Sequence, residues 1–179
     1  MQQTVFSVRL HTDNIEGMGE CQDLFVRKHG GLLICTKNTI CSRPPIWYRG
    51  CNNERVYTEH IQAIANCHGM LVHNNGTVVT CDAGTISKRM PELYIVAGTT
   101  DKEGYCQDID NQVLFDRPVS IAQGPFLGNY IVVDSNNHAL RLVGDKCYAG
   151  HFVGNCQKGF TDGKGREASF KFPTTHTHE

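Results

Sequence analysis

Histidines, acidic residues and cysteines are the side chains in this sequence that could bind a metal ion or carry out catalysis. Five histidines invite a metal interpretation: His73, His138, His151, His176 and His178. A structural zinc site usually contains a Cys-x-x-Cys pair, and no such pair occurs in the chain. We therefore predict no metal and no cofactor, and we interpret these histidines as structural or exposed.

Calcium is suggested by Asp108, Asp110 and Asn111, and separately by Asp162 next to Gly163. A calcium loop of the EF-hand type requires a bidentate glutamate at its twelfth position. Counting from Asp101 places Gln112 there, so the pattern fails. We predict that these residues belong to turns.

Nucleophilic catalysis would need a serine or cysteine beside a base in a suitable local context. The sequence has no Gly-x-Ser-x-Gly motif. Cys35 and Cys81 lie at equivalent strand ends and are interpreted as small buried apolar residues. The chain contains 9 cysteines, an odd number, and the sequence leaves open whether they are free thiols or include one or two disulfides.

Charge and hydropathy argue against two classes of function. The chain of 179 residues has 17 Lys and Arg against 18 Asp and Glu, for a net charge of -1. This balance does not favour nucleic-acid binding, which usually leaves a basic excess. No apolar run approaches the ~20 residues of a membrane-spanning helix, so we predict no membrane span.

The sequence repeats itself. Residues 23–43 align without a gap on residues 69–89, with Val26 matching Val72 and Cys35 matching Cys81. A third copy covers residues 118–143, in which Asp134 matches Asp82. The stretches that follow the second and third copies, residues 104–115 and 159–170, also align without a gap. A repeat of about 40–50 residues is typical of a β-propeller blade.

Each of the last two copies contains four short apolar runs bounded by Gly, Asn or Asp. In the second copy they are residues 70–73, 77–81, 85–89 and 93–97, and in the third copy 119–123, 130–133, 139–143 and 148–153. The pattern predicts four antiparallel strands per repeat, with a tight turn at Asn75 and Gly76. The predicted fold is all-β: a β-propeller with about three four-stranded blades.

The third copy resembles an NHL repeat. Its apolar run ends in Asp134 and is followed by Asn137, His138 and Arg141; then comes GFTDGKGREASF at residues 159–170, and then a proline. The resemblance weakens in the second copy and is poor in the first copy beyond residue 43. It implies an NHL-type propeller with a structural repeat signature, which consists of Asp82, Arg89, Asp134, Asn137, His138, Arg141, Gly159, Asp162, Gly163, Gly165, Phe170 and Pro173.

The repeat boundaries predict an N-terminal segment at residues 1–22, a degenerate blade at 23–68, blades at 69–117 and 118–173, and the start of a further blade or a tail at 174–179. Closed propellers have four to eight blades, which is more than this chain supplies. We therefore expect a fragment, or a partial propeller that further blades or a protein partner complete.

The function predicted from the sequence is a non-catalytic interaction module that presents loop faces to a protein partner. The third copy carries an insertion between two strands, and its apolar residues Pro125, Phe126 and Leu127 are the candidate contact residues. One alternative is part of a propeller hydrolase or lyase with a metal in its channel. The other is an RNA-binding propeller, which would need a basic face.

Overall fold

The computed structural model describes residues 21–26, 32–36, 39–43, 59–63, 67–73, 75–90, 92–100, 102–105, 108–109, 113–126, 128–144 and 148–174. These residues form three antiparallel sheets, and the helical structure among them is one 3-10 turn, Gly165–Glu167. In this part of the chain, no helix is long and apolar enough to cross a membrane. Expectations about Asp101, Asp110, Asn111, Gln112, Leu127, His176 and His178 lie outside the described residues.

The first two sheets each contain four strands in chain order. The first sheet, blade 1, consists of β1 (Cys21–Val26), β2 (Leu32–Thr36), β3 (Thr39–Arg43) and β4 (Glu59–Ala63). The second sheet, blade 2, consists of β5 (Gly69–Val72), β6 (Val78–Cys81), β7 (Thr85–Met90) and β8 (Glu92–Gly98). The four strands of blade 2 fall where the apolar runs predicted them.

The third sheet, blade 3, has one strand more than the repeat predicts. Its strands are β9 (Asp108–Ile109), β10 (Pro118–Gln123), β11 (Asn129–Asp134), β12 (Ala139–Gly144) and β13 (Tyr148–Val153), in the order β10-β11-β12-β13-β9. The added strand β9 comes from the segment that joins blade 2 to blade 3. It pairs with the outer strand β13 and so covers part of an edge that would otherwise be open.

The first strands of the three sheets lie side by side: β5 contacts β1 on one side and β10 on the other. The next three strands of each sheet extend outward from them in chain order, and β9 lies outermost in blade 3. This is the arrangement of blades around a propeller axis. The predicted all-β fold is confirmed, and the chain is a partial β-propeller.

The turn between β5 and β6 forms as its residues predict. Gly76 has a φ of 85°, a conformation that costs glycine little. The His73 N–H donates to the carbonyl of Thr77 at 2.9 Å, and the Asn75 side chain accepts a hydrogen bond from the Thr77 hydroxyl at 2.7 Å. The turn therefore fixes the register of this hairpin.

Apolar residues between neighbouring sheets form the core. One cluster joins blades 1 and 2 and includes Leu33, Cys35, Ile40, Cys67, Met70 and Val78. A larger cluster joins blades 2 and 3 and includes Val79, Ile86, Val96, Val113, Phe115, Ile121, Tyr130, Val132 and Val143. Strands β6 and β11 are buried along almost their whole length, whereas β12 alternates between buried and half-buried residues.

Of the two alternatives left open for the cysteines, Cys35 takes the disulfide. It is buried, as expected, and its bond to Cys67 ties β2 to the residues before β5. Cys81, at the equivalent position of blade 2, is a free and buried thiol. Cys35 and Cys81 thus occupy equivalent positions in their blades, but one is disulfide-bonded and the other is a free thiol.

Candidate functional site

The most deeply buried charges in the described residues are Asp134 and Arg141, whose side chains are both fully inaccessible to solvent. The guanidinium of Arg141 lies 3.2 Å from the carboxylate of Asp134. It also donates to the carbonyls of Leu114 at 2.8 Å and Ala149 at 3.1 Å. A buried ion pair is tolerated only when such additional hydrogen bonds satisfy its remaining donors and acceptors.

The Asp134 carboxylate holds together the segments that meet at the end of β11. It accepts hydrogen bonds from the Asp116 N–H at 2.8 Å and from the Asn137 side chain at 2.9 Å. Burial raises the pKa of Asp134 to about 6, although these hydrogen bonds and Arg141 oppose the shift. Asn137 also donates to the carbonyl of Gly104 at 2.8 Å. The described contacts of Asp134, Asn137 and Arg141 thus fasten blade 3 to the segment that precedes it.

Blade 2 does not repeat this ion pair. In blade 3, Val132 pairs with Arg141 across the strands, whereas the matching Thr80 of blade 2 pairs with Ser87. The turn after Asp82 is two residues shorter than the turn after Asp134, so the strand that follows is displaced in register. Ser87 therefore occupies the place of Arg141, and its hydroxyl lies 3.5 Å from the Asp82 carboxylate.

Arg89, the basic residue that the repeat signature assigns to blade 2, lies two positions further along β7 than Ser87. Its charge lowers the pKa of Asp82 less than burial raises it, and the net result is a pKa of about 6. One carboxylate oxygen of Asp82 is buried and accepts no hydrogen bond. Asp82 is therefore easier to protonate in the folded chain than in the unfolded chain.

Replacing Asp82 by asparagine should flatten the pH dependence of stability. A carboxyl whose pKa is raised on folding adds stability that is complete below its unfolded pKa of 3.8 and is lost as pH rises through about 6. Between about pH 4.5 and about pH 7.5, Asp82→Asn should gain ~1–2 kcal/mol relative to the wild type. Urea unfolding at both pH values measures this gain, and a constant difference between the two proteins would contradict it.

Two of the histidines that suggested a metal site, His73 and His138, make ring contacts with aromatic residues. His138 has a φ of 53°; its ring meets Phe172 edge to face at 4.6 Å and accepts that residue's N–H at 3.3 Å. His73 meets the ring of Tyr130 at 5.8 Å. Among the described residues, no three His, Cys, Asp or Glu side chains are grouped so that they could hold a metal ion.

The loop after β13 carries the glycines and the acidic turn residue of the repeat signature. Gly165 has a φ of 56°, and a side chain on Gly163 would lie 2.7 Å from the backbone of Glu167. Asp162 is exposed in this loop, and Pro173 ends it half-buried. Phe170 is half-buried and Phe172 is 44% exposed, whereas Phe115 is completely buried between blades 2 and 3.

One cluster, which consists of Tyr105, His151 and Cys156, was not predicted from the sequence. Nδ1 of His151 lies 3.2 Å from the Tyr105 hydroxyl and 3.7 Å from Sγ of Cys156. Burial, followed by the charges of Arg166 and Arg141, lowers the pKa of His151. The cluster joins segments of two blades, and only the alignment of residues 104–115 with 159–170 could have drawn attention to Tyr105.

Four hydrogen bonds hold the described residues of the insertion between β10 and β11. The Gly124 N–H donates to the carbonyl of Asn129 at 2.7 Å, and the Asn129 N–H returns a bond to Phe126 at 3.1 Å. The side chain of Gln123 donates to both of these carbonyls. Gly128 has a φ of 82°. Pro125 and Phe126 are exposed at the tip, where 67% of Phe126 is accessible.

The chain matches no protein-family model, and a comparison with curated proteins finds no match. Solved structures do match. One is an auxiliary nutrient binding protein from Bacteroides thetaiotaomicron, with 18% identity and a TM-score of 0.64 over 82% of this chain and 39% of that one. Another auxiliary nutrient binding protein, from Bacteroides ovatus, has 12% identity and a TM-score of 0.55 over 88% and 54%.

A third similar structure, from Bacteroides thetaiotaomicron, is provisionally named a phosphatase. It has 16% identity and a TM-score of 0.66 over 82% of this chain and 41% of its own. The chain thus spans between 39% and 54% of the length of these three structures. At such low identity the likeness shows the fold alone, and together with the three sheets it defines the chain as part of a larger class of propeller-like proteins.

Proposed function

We propose that the chain is an NHL-type propeller module that binds a protein partner without catalysing a reaction, and that it does so through the loop of residues 124–128. The observation that carries this proposal is the exposure of Phe126 on a backbone held by four hydrogen bonds. We propose blade boundaries at 23–68, 69–117 and 118–173, although strand β1 begins two residues before the first of these segments and β9 joins the third sheet from the second segment. These divisions place the insertion within blade 3, between its first two strands.

A fixed loop with an exposed aromatic tip is suited to binding. Ordering of loops on association costs free energy, and a loop that is already held in place avoids most of that cost. An aromatic side chain that enters a partner's pocket can supply a large share of the binding free energy. Phe126 is 67% exposed, so most of its surface is available to a partner.

The remaining chemistry of the described residues also supports a binding role. Asp134 and Arg141 form the buried charged pair, and neither side chain is accessible to solvent. Their contacts join blade 3 to the segment that precedes it. Two of the similar structures are named as nutrient-binding proteins, which supports binding as the role of this fold. We infer that the loops carry the function and that the sheets position them.

Replacing Phe126 by alanine should weaken partner binding about 30-fold, the effect of a central aromatic contact worth ~2 kcal/mol. A photoreactive phenylalanine analogue at position 126 identifies the partner in extracts of cells that express the chain. The same analogue at position 94, on the exposed outer strand β8, serves as the matched control. Cross-linking of the same proteins from both positions would contradict a site at the loop.

Hydrolysis is a second candidate function, and one observation favours it. A thiol and an imidazole lie 3.7 Å apart at Cys156 and His151, which is the pairing used in nucleophilic catalysis. One similar structure is also provisionally named a phosphatase. Turnover of a phosphate ester, carboxylic ester or lactone that is lost in Cys156→Ser would establish this function and overturn the non-catalytic proposal.

A further inference from the structure

The two segments that leave the outer strands of blades 2 and 3 share backbone features at several positions that the structure describes in both. We call residues 102–117 the first link and residues 157–172 the second link. The Gly104 N–H donates to the carbonyl of Phe115 at 3.1 Å, and the Gly159 N–H donates to Phe170 at 2.9 Å. Each link also has a parallel bridge at this point, Glu103 with Phe115 and Lys158 with Phe170.

The match extends to the strained residue that ends each link. Arg117 has a φ of 55° and Phe172 has a φ of 49°, although neither is a glycine. Positions in the two links therefore correspond one to one, as Gly104 does to Gly159. By the same alignment, Tyr105 corresponds to Phe160, Leu114 to Ser169 and Asp116 to Lys171.

The first link is covered by blade 3. Asn137 donates to the carbonyl of Gly104, Arg141 donates to that of Leu114, and Asp134 accepts the Asp116 N–H. The guanidinium of Arg141 also lies over the ring of Tyr105, 4.7 Å from its centre. A single motif, Asp-x-x-Asn-x-x-x-Arg at residues 134–141, makes all of these contacts.

The second link presents the equivalent groups, and the described residues leave its aromatic ring open. Ser169 is buried and its carbonyl accepts the Thr161 N–H at 3.3 Å within the link, so an arginine would be the second donor to that carbonyl. Phe160 is 94% exposed, whereas Tyr105 is 37% exposed. An aromatic ring so exposed is unusual for a position whose repeat equivalent packs against a neighbouring blade. Lys171 and Gly159 lie in the same relation to Phe160 as Asp116 and Gly104 do to Tyr105.

We propose that the second link is the docking surface for a further β-blade that carries the Asp-x-x-Asn-x-x-x-Arg motif. The aspartate of that blade accepts the Lys171 N–H, and its asparagine donates to the carbonyl of Gly159. Its arginine donates to the carbonyl of Ser169 and stacks on the ring of Phe160. The proposal is independent of the binding role of loop 124–128, because the two surfaces share no residue.

A second copy of this chain does not offer the required motif. In blade 3 the motif is already engaged with the first link. In blade 2 the arginine position holds Ser87, as the strand register shows. In blade 1 the same alignment places Thr36 at the aspartate position and Cys41 at the arginine position. The occupant is therefore a blade from outside the described residues.

A chain extended by one blade tests the proposal. It consists of residues 1–172 followed by a second copy of residues 118–173. The copied motif should dock on the second link and slow hydrogen exchange of the Lys171 amide at least about tenfold relative to the original chain. Phe160→Ala should lower the melting temperature of the extended chain by about 4–8 °C and leave that of the original chain within about 1 °C. Phe160→Tyr, which restores the residue type of the first link, should retain the stability of the extended chain.

A second variant tests the docking blade. Replacing the arginine that corresponds to Arg141 in the added copy by methionine should lower the melting temperature of the extended chain about as much as Phe160→Ala does. Unchanged exchange at Lys171 in the extended chain would overturn the proposal, as would equal effects of Phe160→Ala in both chains. Sedimentation of the original chain tests whether a second copy of the chain occupies this surface instead. A dimer that Phe160→Ala dissociates would assign the surface to a second copy and also overturn the proposal.

Discussion

Replacing Arg141 by methionine is expected to lower the free energy of unfolding by about 3–5 kcal/mol, because it leaves the buried Asp134 carboxylate without its ionic partner. Methionine keeps much of the apolar stem of arginine, so the loss reports on charge more than on volume. The carbonyls of Leu114 and Ala149 also lose a donor. Urea unfolding at about pH 7.5 measures the difference.

The deficit of Arg141→Met should shrink as the pH is lowered to about 5. Burial already raises the pKa of Asp134 to about 6 with Arg141 in place, and removal of the positive charge must raise it further. A protonated Asp134 needs no counterion, so acid should restore part of the lost stability. Arg166→Met, at an exposed position, is the control and should change stability by less than ~0.5 kcal/mol. A deficit below ~1 kcal/mol at pH 7.5 would contradict the structural role given to the pair.

Replacing Phe115 by alanine should cost about 3–5 kcal/mol, the usual loss for a buried phenylalanine in a core. Phe115 is fully buried in the cluster that joins blades 2 and 3, and its ring lies 4.9 Å from the guanidinium of Arg141. Its removal therefore opens a cavity between two blades and exposes one face of the ion pair. Thermal and urea unfolding both report the loss.

Phe170 offers a matched control for Phe115, since it occupies the same place in the second link but is half-buried. Phe170→Ala should cost less than half as much as Phe115→Ala in the original chain. Losses of equal size would mean that the contact between blades 2 and 3 contributes little to stability. That result would contradict the interpretation of the first link as a blade-to-blade joint.

The strands of blades 2 and 3 could be predicted from the sequence because the repeat supplies two independent views of each one. The turn at Asn75 and Gly76 carried its own signal, since these residues tolerate a positive φ. Strand β9 could not be predicted. It is two residues long and forms only because the first link runs beside the edge of β13.

The candidate sites were predicted unevenly. The insertion at residues 124–128 is visible as a change in repeat spacing, and the exposure of Phe126 agrees with a surface loop. The sequence identified Asp134 and Arg141 as members of the repeat signature, but it did not predict that they form an ion pair. It also did not predict that Arg89 lies two positions beyond the equivalent of Arg141. This shift of Arg89 arises because the turn after Asp82 is two residues shorter than the turn after Asp134. An alignment of the repeats without a gap does not show the difference. The contact of Tyr105 with His151 joins residues 46 positions apart and leaves no local pattern.

The disulfide between Cys35 and Cys67 shows a related limit. Nine cysteines allow many pairings, and the spacing does not select among them. Cys35 and Cys81 are equivalent by repeat, and the difference between them lies in which residue the neighbouring blade brings close. Contacts between blades are thus the part of this structure that sequence patterns within a blade do not specify.

Calorimetric titration of the partner captured at position 126 tests most directly the central claim, which is that this propeller module binds a protein through the loop at residues 124–128. We expect saturable binding by the wild-type chain and about 30-fold weaker binding by Phe126→Ala, with the unfolding temperature of the variant unchanged. Equal affinity of the two proteins for the partner would contradict the claim.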